Sequence, residues 1–170
     1  MKEYDLNQLL NNPTLVEQKI SEFIEKRILN RQPVESDEVE GHIEKAEHNL
    51  RFVAENVKIG FLDWAITGCY YACYHAALAL ILTRGYSSKN HLATLCTLIK
   101  EFYSKELDKE DIEVLSSLLD YQDLLFYVES KNKRKDATYS TKSKFDNKKT
   151  EQLRIKAALF VSKTKTILER

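Results

Sequence analysis

Arg134 stands among Lys131, Lys133 and Lys135 in a polar stretch, ESKNKRKDATYSTKSKFDNKK over 129–149, that has no helical stripe. No packing role is evident for a guanidinium there. Its natural partners are phosphate or carboxylate, which Arg grips through paired hydrogen bonds. Asp136 is close enough in sequence to neutralise it instead. His75 is the second residue with chemistry to offer, because it closes a line of polar side chains (Asp63, Thr67, Tyr71, His75) at one-turn spacing in an otherwise apolar segment. The line reads either as the wall of a site, with Asp63 a nucleotide contact, or as a core histidine bonded to a neighbouring group. Cys69, Cys73 and Cys96 are an odd number of cysteines without paired Cys-x-x-Cys spacing, which fits reduced, buried thiols better than a zinc site. Neither a metal nor a cofactor is expected.

The element that must position these residues runs from Asp63 to Gly85. It carries no charge between Asp63 and Arg84, and apolar or aromatic side chains fall on every face of the helix it would form. Such a helix is long enough to span a bilayer. Three tyrosines and a histidine in its middle would be costly in lipid, and amphipathic segments elsewhere need an apolar partner. A buried central helix satisfies both conditions. Tyr70, Tyr71 and Tyr74 then read as core or interface aromatics rather than stacking platforms.

Other segments supply the surround. Residues 14–30 predict a first helix with Val16, Ile20, Phe23, Ile24 and Ile28 on one side, and a break follows at Pro33 and Ser36. From about Asp37 a second helix carries Val39, Ile43, Ala46, Leu50, Val53 and Val57 in a narrow seam. Gly60 ends it, and Gly85 caps the central helix. Ser88 is the expected N-cap of a fourth helix bearing Leu92, Leu95, Ile99 and Phe102. A fifth begins after Asp108 with Ile112, Leu115, Leu118, Leu119, Leu125 and Phe126. A last helix starts near Thr150, facing Leu153, Ala157, Phe160, Val161, Thr164 and Leu168 inward. With only 4 Gly and 2 Pro in 170 residues, few and long elements are expected. The fold class is therefore all-α: an antiparallel four-helix bundle over 36–170, with an N-terminal helical extension over 1–35 that docks on the bundle or on a second subunit.

A formal net charge of zero conceals segregation. Residues 1–130 hold 13 Lys or Arg against 22 Asp or Glu, whereas 131–170 hold 13 against 4. The basic end suits phosphate binding or attraction to the acidic part of the same chain. The start, MKEYDLNQLLNN, lacks the basic-then-apolar layout of a signal peptide, so a cytoplasmic protein is expected.

Five segments in order carry a resemblance: HIEKAEHNLRFVAEN, DWAITGCYYACYHAALAL, SKNHLATL, RKDATYS and KAALFVSKTKTIL. They resemble the prokaryotic HEPN domains, in particular the stand-alone type that accompanies a minimal nucleotidyltransferase (MNT). The motif positions are Ala46 to Leu50, Tyr70 to Ala76, Ser88 to His91 and Arg134 to Tyr139. The resemblance spans about residues 39–168 and leaves the first helix uncovered. It implies a helical bundle that commonly forms a homodimer and binds or cleaves RNA, as in toxin–antitoxin pairs. Active members use an Arg and a His as a metal-independent ribonuclease site, the imidazole moving the proton of a ribose hydroxyl and the guanidinium holding phosphate.

Arg134 takes the place of the family arginine, but Tyr139 stands where nuclease members carry His. A phenol with an ordinary pKa of about 10 is a poor base at neutral pH. The leading expectation is thus a module that binds RNA or nucleotide through Lys131, Lys133, Arg134 and Lys135 and works with an MNT partner. The resemblance also marks Tyr139 as a site for nucleotide attachment by that partner. The rival is a ribonuclease in which His91 or His75 replaces the missing base. Arg84 and His91 reproduce the Arg-to-His spacing, a coincidence if His91 only packs beside the Ser88 turn.

Overall fold

The computed structural model describes residues 5–118 and 147–170. In chain order the elements are α1 (Leu6–Asn11), α2 (Pro13–Glu25), β1 (Leu29–Arg31), α3 (Ser36–Lys58), α4 (Leu62–Thr83), β2 (Tyr86–Ser88), α5 (His91–Phe102), α6 (109–118) and α7 (Asn147–Leu168). Leu119, Leu125 and Phe126, assigned to the core from sequence, lie outside the described residues.

The central helix is α4. It packs most extensively on α3, then on α7 and α5, so the uncharged run is covered by three neighbours. Thirteen of its residues are buried, from Ala65 to Leu82. It is the one helix among the described residues long and apolar enough to cross a membrane, yet most of its apolar window lies inside the protein. Gly60 and Gly85 both take positive φ, +82° and +72°, at the two ends where the chain reverses. Gly85 is additionally close to β1: a Cβ there would sit 3.2 Å from the Gln32 carbonyl oxygen.

The α3–α4 contact is tight because α4 carries Gly68 where α3 presents Phe52 and Val53. An added Cβ would lie 2.6 Å from Val53 Cγ2 and 3.1 Å from Phe52 Cδ1. Val53 is fully buried and β-branched, so it cannot swing away.

The apolar seams of the later helices are inward as expected, including Ala46 and Val53 of α3, Leu95, Ile99 and Phe102 of α5, Ile112, Leu115 and Leu118 of α6, and Ala157, Phe160 and Val161 of α7, whereas Ile24 of the first helix is exposed. Two local expectations are corrected. The first helix does not run to Asn30: α2 stops at Glu25, Arg27 turns left-handed (φ +56°), and Leu29–Arg31 pairs antiparallel with Tyr86–Ser88. Apolar Ile24 and Ile28 fit helical spacing, but a distant strand competes for the backbone of 29–31, and period alone cannot register it. The N-cap of α5 is Asn90, not Ser88. Asn90 Oδ1 accepts from the Ala93 amide at 2.9 Å, while Ser88 Oγ accepts from the Asn90 amide at 3.0 Å and so braces the cap.

The strand pairing joins the N-terminal segment to the bundle, reinforced by α2 packing on α5. Arg31 lies over the Tyr86 ring at 3.7 Å and donates to the Arg84 carbonyl at 3.3 Å. Basic α7 makes ion pairs with acidic neighbours: Lys163 bonds Asp108 at 2.8 Å and Asp111 at 2.5 Å, and Lys165 bonds Glu47. These contacts realise the attraction between basic and acidic parts that the segregated charge suggested.

Gly68→Ala tests the helix crossing. The substitution gains about 1 kcal/mol of helix propensity, but overpacking against Val53 costs about 1–3 kcal/mol. Urea unfolding should show a net loss of stability; a stabilised variant would mean that α3 and α4 do not approach this closely.

Candidate functional site

The half-buried residues Tyr74, His75 and His91 mark a polar strip on the edge of α4, between α3 and the start of α5. His75 faces α3, where His42 meets it with Nδ1 2.8 Å from Nδ1 and ring centroids 5.1 Å apart. One Nδ1 donates and the other accepts, so the contact requires at least one neutral imidazole. Protonating both would set two donors against each other. Burial, then the neighbouring His42 and Lys45, lower His75 to about 4. Burial also lowers His42, opposed by Glu38 one turn earlier on α3.

On the other side, His91 Nε2 lies 2.5 Å from the hydroxyl of buried Tyr70. Its ring stands edge-on to Tyr74 at 4.9 Å, and Tyr74 stacks on Tyr70 at 5.8 Å. Burial raises the Tyr74 phenol, with its hydrogen bond to Thr94 acting the other way. Tyr70 is thus core, Tyr74 half-buried and Tyr71 exposed.

The structure separates several residues that sequence placed together. Asp63 is exposed in the first turn of α4, roughly 18 Å along the axis from His75 at the helical rise. Thr67 Oγ1 donates to the Asp63 carbonyl, a local bond along the helix, while His75 pairs with His42 at the other end of the line. Arg84 pairs with Glu106 at 3.2 Å and lies over the Phe102 ring at 4.8 Å, while His91 goes to Tyr70. The Arg84–His91 spacing therefore corresponds to two separate contacts. Lys131, Lys133, Arg134, Lys135 and Tyr139 lie outside the described residues.

Burial pushes the Cys69 and Cys96 thiols up to about 12 and raises Cys73 as well, so all three are poor nucleophiles. Among the described residues, no three His, Cys, Asp or Glu side chains converge as metal ligands. His42 was not singled out from sequence. Its one usable signal was its place on α3 one turn before Ala46 of the apolar seam, which puts it beside the facing helix.

The family model of the HEPN domain matches residues 39–144. It starts inside α3 and leaves out α1, α2 and β1. The chain is 31% identical over 132 residues to "Putative toxin MJ0142" of Methanocaldococcus jannaschii, covering 77% of this chain and 82% of that protein. It is also 30% identical over 100 residues to a "UPF0332 protein" of Archaeoglobus fulgidus, covering 59% of this chain and 80% of the relative.

The histidine pair sets a pH dependence. The folded value of about 4 for His75 lies below the unfolded value of about 6.5, so the unfolded chain takes up a proton that the native state excludes. Its stabilising effect is complete above the unfolded value and is lost as pH falls toward the folded one. Half-exposure screens the effect, which should be on the order of 1 kcal/mol. Melting followed by circular dichroism from about pH 7 to about pH 5 should show this fall, and His75→Gln should flatten it. An unchanged slope in the variant would place the titrating group elsewhere.

Proposed function

The chain belongs to the HEPN domain family, and from that premise we propose that it is a toxin-type HEPN protein that binds RNA through the basic stretch around Arg134. It works with an MNT nucleotidyltransferase and lacks a nuclease base of its own. The observation that carries this reading is the engagement of both histidines that could replace the family base. His75 is tied to His42 and held neutral, and His91 is tied to the hydroxyl of a buried tyrosine. An imidazole with a pKa near 4 is a weak proton acceptor in a transition state. Arg134 and Tyr139 fall within the matched interval, and the resemblance puts Tyr139 where nuclease members carry histidine. The relative named a putative toxin supports a toxin–antitoxin role.

A homodimer belongs to this reading. Phe52 of α3, Phe61 just before α4, and Trp64 and Tyr71 of α4 are all at least 40% exposed, more aromatic surface than a solitary bundle of this size needs. The ribonuclease alternative keeps Arg134 on phosphate and uses His91 or His75 as base, which requires one of the two histidine contacts to open.

Purified protein incubated in EDTA with mixed tRNA and mRNA should leave the RNA intact. Filter binding should show retention that weakens about tenfold in Arg134→Ala, with a salt slope shallower by about one. Cleavage that disappears in Arg134→Ala and in either His91→Ala or His75→Gln would establish the ribonuclease instead. Co-expression with an MNT protein encoded beside it should add the mass of a nucleotide to the chain, and Tyr139→Phe should abolish the addition. An unchanged mass with an active partner would remove Tyr139 as the acceptor.

A further inference from the structure

A cavity of about 670 Å³ opens where the N-terminal segment meets the bundle, a volume suited to a small metabolite. Its walls come from both parts: Arg27 and its neighbours from the turn into β1, Glu38 and His42 from α3, Leu78 and Leu82 from α4, and Lys89 just before α5. The histidine strip touches it only through His42. Lys89 belongs to the Ser-Lys-Asn-His segment, and the histidine pairing does not use it.

Two features indicate an anion. The side chains of Arg27 and Lys89 have no ion-pair or hydrogen-bond partner among the described residues, although acidic residues are plentiful on α3. Arg27 also occupies a left-handed position, φ +56°, at the end of α2, where its amide bonds the Ile24 carbonyl and the Ile28 amide reaches back to Phe23. Glycine or asparagine is preferred at that place. An arginine held there against its backbone preference, with its exposed side chain on the cavity, is an outlier that motivates a ligand on that side chain.

The remaining lining limits the ligand further. Glu38 has one oxygen occupied by Gln32 Nε2 at 2.7 Å, leaving the other to accept a hydroxyl. The other polar walls are amides, hydroxyls and the His42 imidazole, which is taken up by His75; Leu78 and Leu82 provide an apolar floor, and no phenyl, phenol or indole ring stands among the described lining residues to stack a nucleobase.

We propose that this cavity binds a phosphorylated polyol of the sugar-phosphate class, with the phosphate between Arg27 and Lys89 and the hydroxyls on Glu38 and its amide neighbours. Such a ligand joins the N-terminal segment to the bundle, so it acts as an effector that clamps β1 against β2. Its binding does not rest on RNA binding.

The test is calorimetric titration of the full chain with ribose 5-phosphate and glucose 6-phosphate, beside ribose, inorganic phosphate and AMP, with thermal melting in parallel. One of the two sugar phosphates should bind in the micromolar to millimolar range and raise the melting temperature, while ribose is at least about tenfold weaker. Arg27→Gly and Lys89→Ala should each weaken binding about tenfold or more. Arg27→Gly should melt without ligand at or above the parent temperature, because glycine relieves the left-handed turn. Arg134→Ala should bind as the parent does, which separates this site from the RNA reading. Tighter binding of AMP than of either sugar phosphate would overturn the polyol assignment. Binding unaffected by both Arg27→Gly and Lys89→Ala, or no binding at millimolar ligand, would overturn the site.

Discussion

A helix with no charge between its two ends must be enclosed, and most of the architecture follows from enclosing α4. Its apolar area is removed from water by α3, α7 and α5, the dominant favourable contribution to a fold of this kind. Enclosure also dictates what happens to the polar groups that the helix carries. Tyr70 and His75 cannot be left unbonded beside a dry core, and each finds an imidazole on a neighbouring helix. Two histidines that could in principle move protons are thereby held by the needs of the core. Gly68 belongs to the same constraint, since the close approach of α3 that covers α4 leaves no room for a side chain there.

Charge has a different part. Exposed or half-exposed ion pairs such as Lys163 with Asp108 contribute at most about 1 kcal/mol each, too little to hold α7 in place. Buried Ala157, Phe160 and Val161 do that. The pairs select orientation and register, because a basic helix lies with least repulsion against acidic α3 and α6. Using lysines of α7 in this way absorbs part of the positive C-terminal charge within the fold.

The N-terminal segment lies outside the interval matched to the HEPN domain, yet it is built into the same body through the β1–β2 pairing. The ribbon closes one end of the bundle and creates the cavity lined by Arg27 and Lys89. Gly85 permits the closure twice over, by its positive φ and by the absence of a Cβ facing the Gln32 carbonyl.

Much of this was legible in the chain. The apolar seams of α3, α5 and α7, the limits of α4, the two glycine turns and the helical class follow from periodicity and composition, which act locally and leave a local record. Membership in the family was legible as well, from Ala46–Leu50, Tyr70–Ala76, Ser88–His91 and Arg134–Tyr139. What tertiary structure decided was every pairing across elements. Leu29–Arg31 carries no strand signal until Tyr86–Ser88 lies beside it. His75 is equally a site wall or a core group until His42 arrives from α3, and Arg84 and His91 look like partners until Glu106 and Tyr70 take them in different directions. Spacing along a chain specifies which residues share a helix face; which face of which neighbour meets them is settled only when the helices pack.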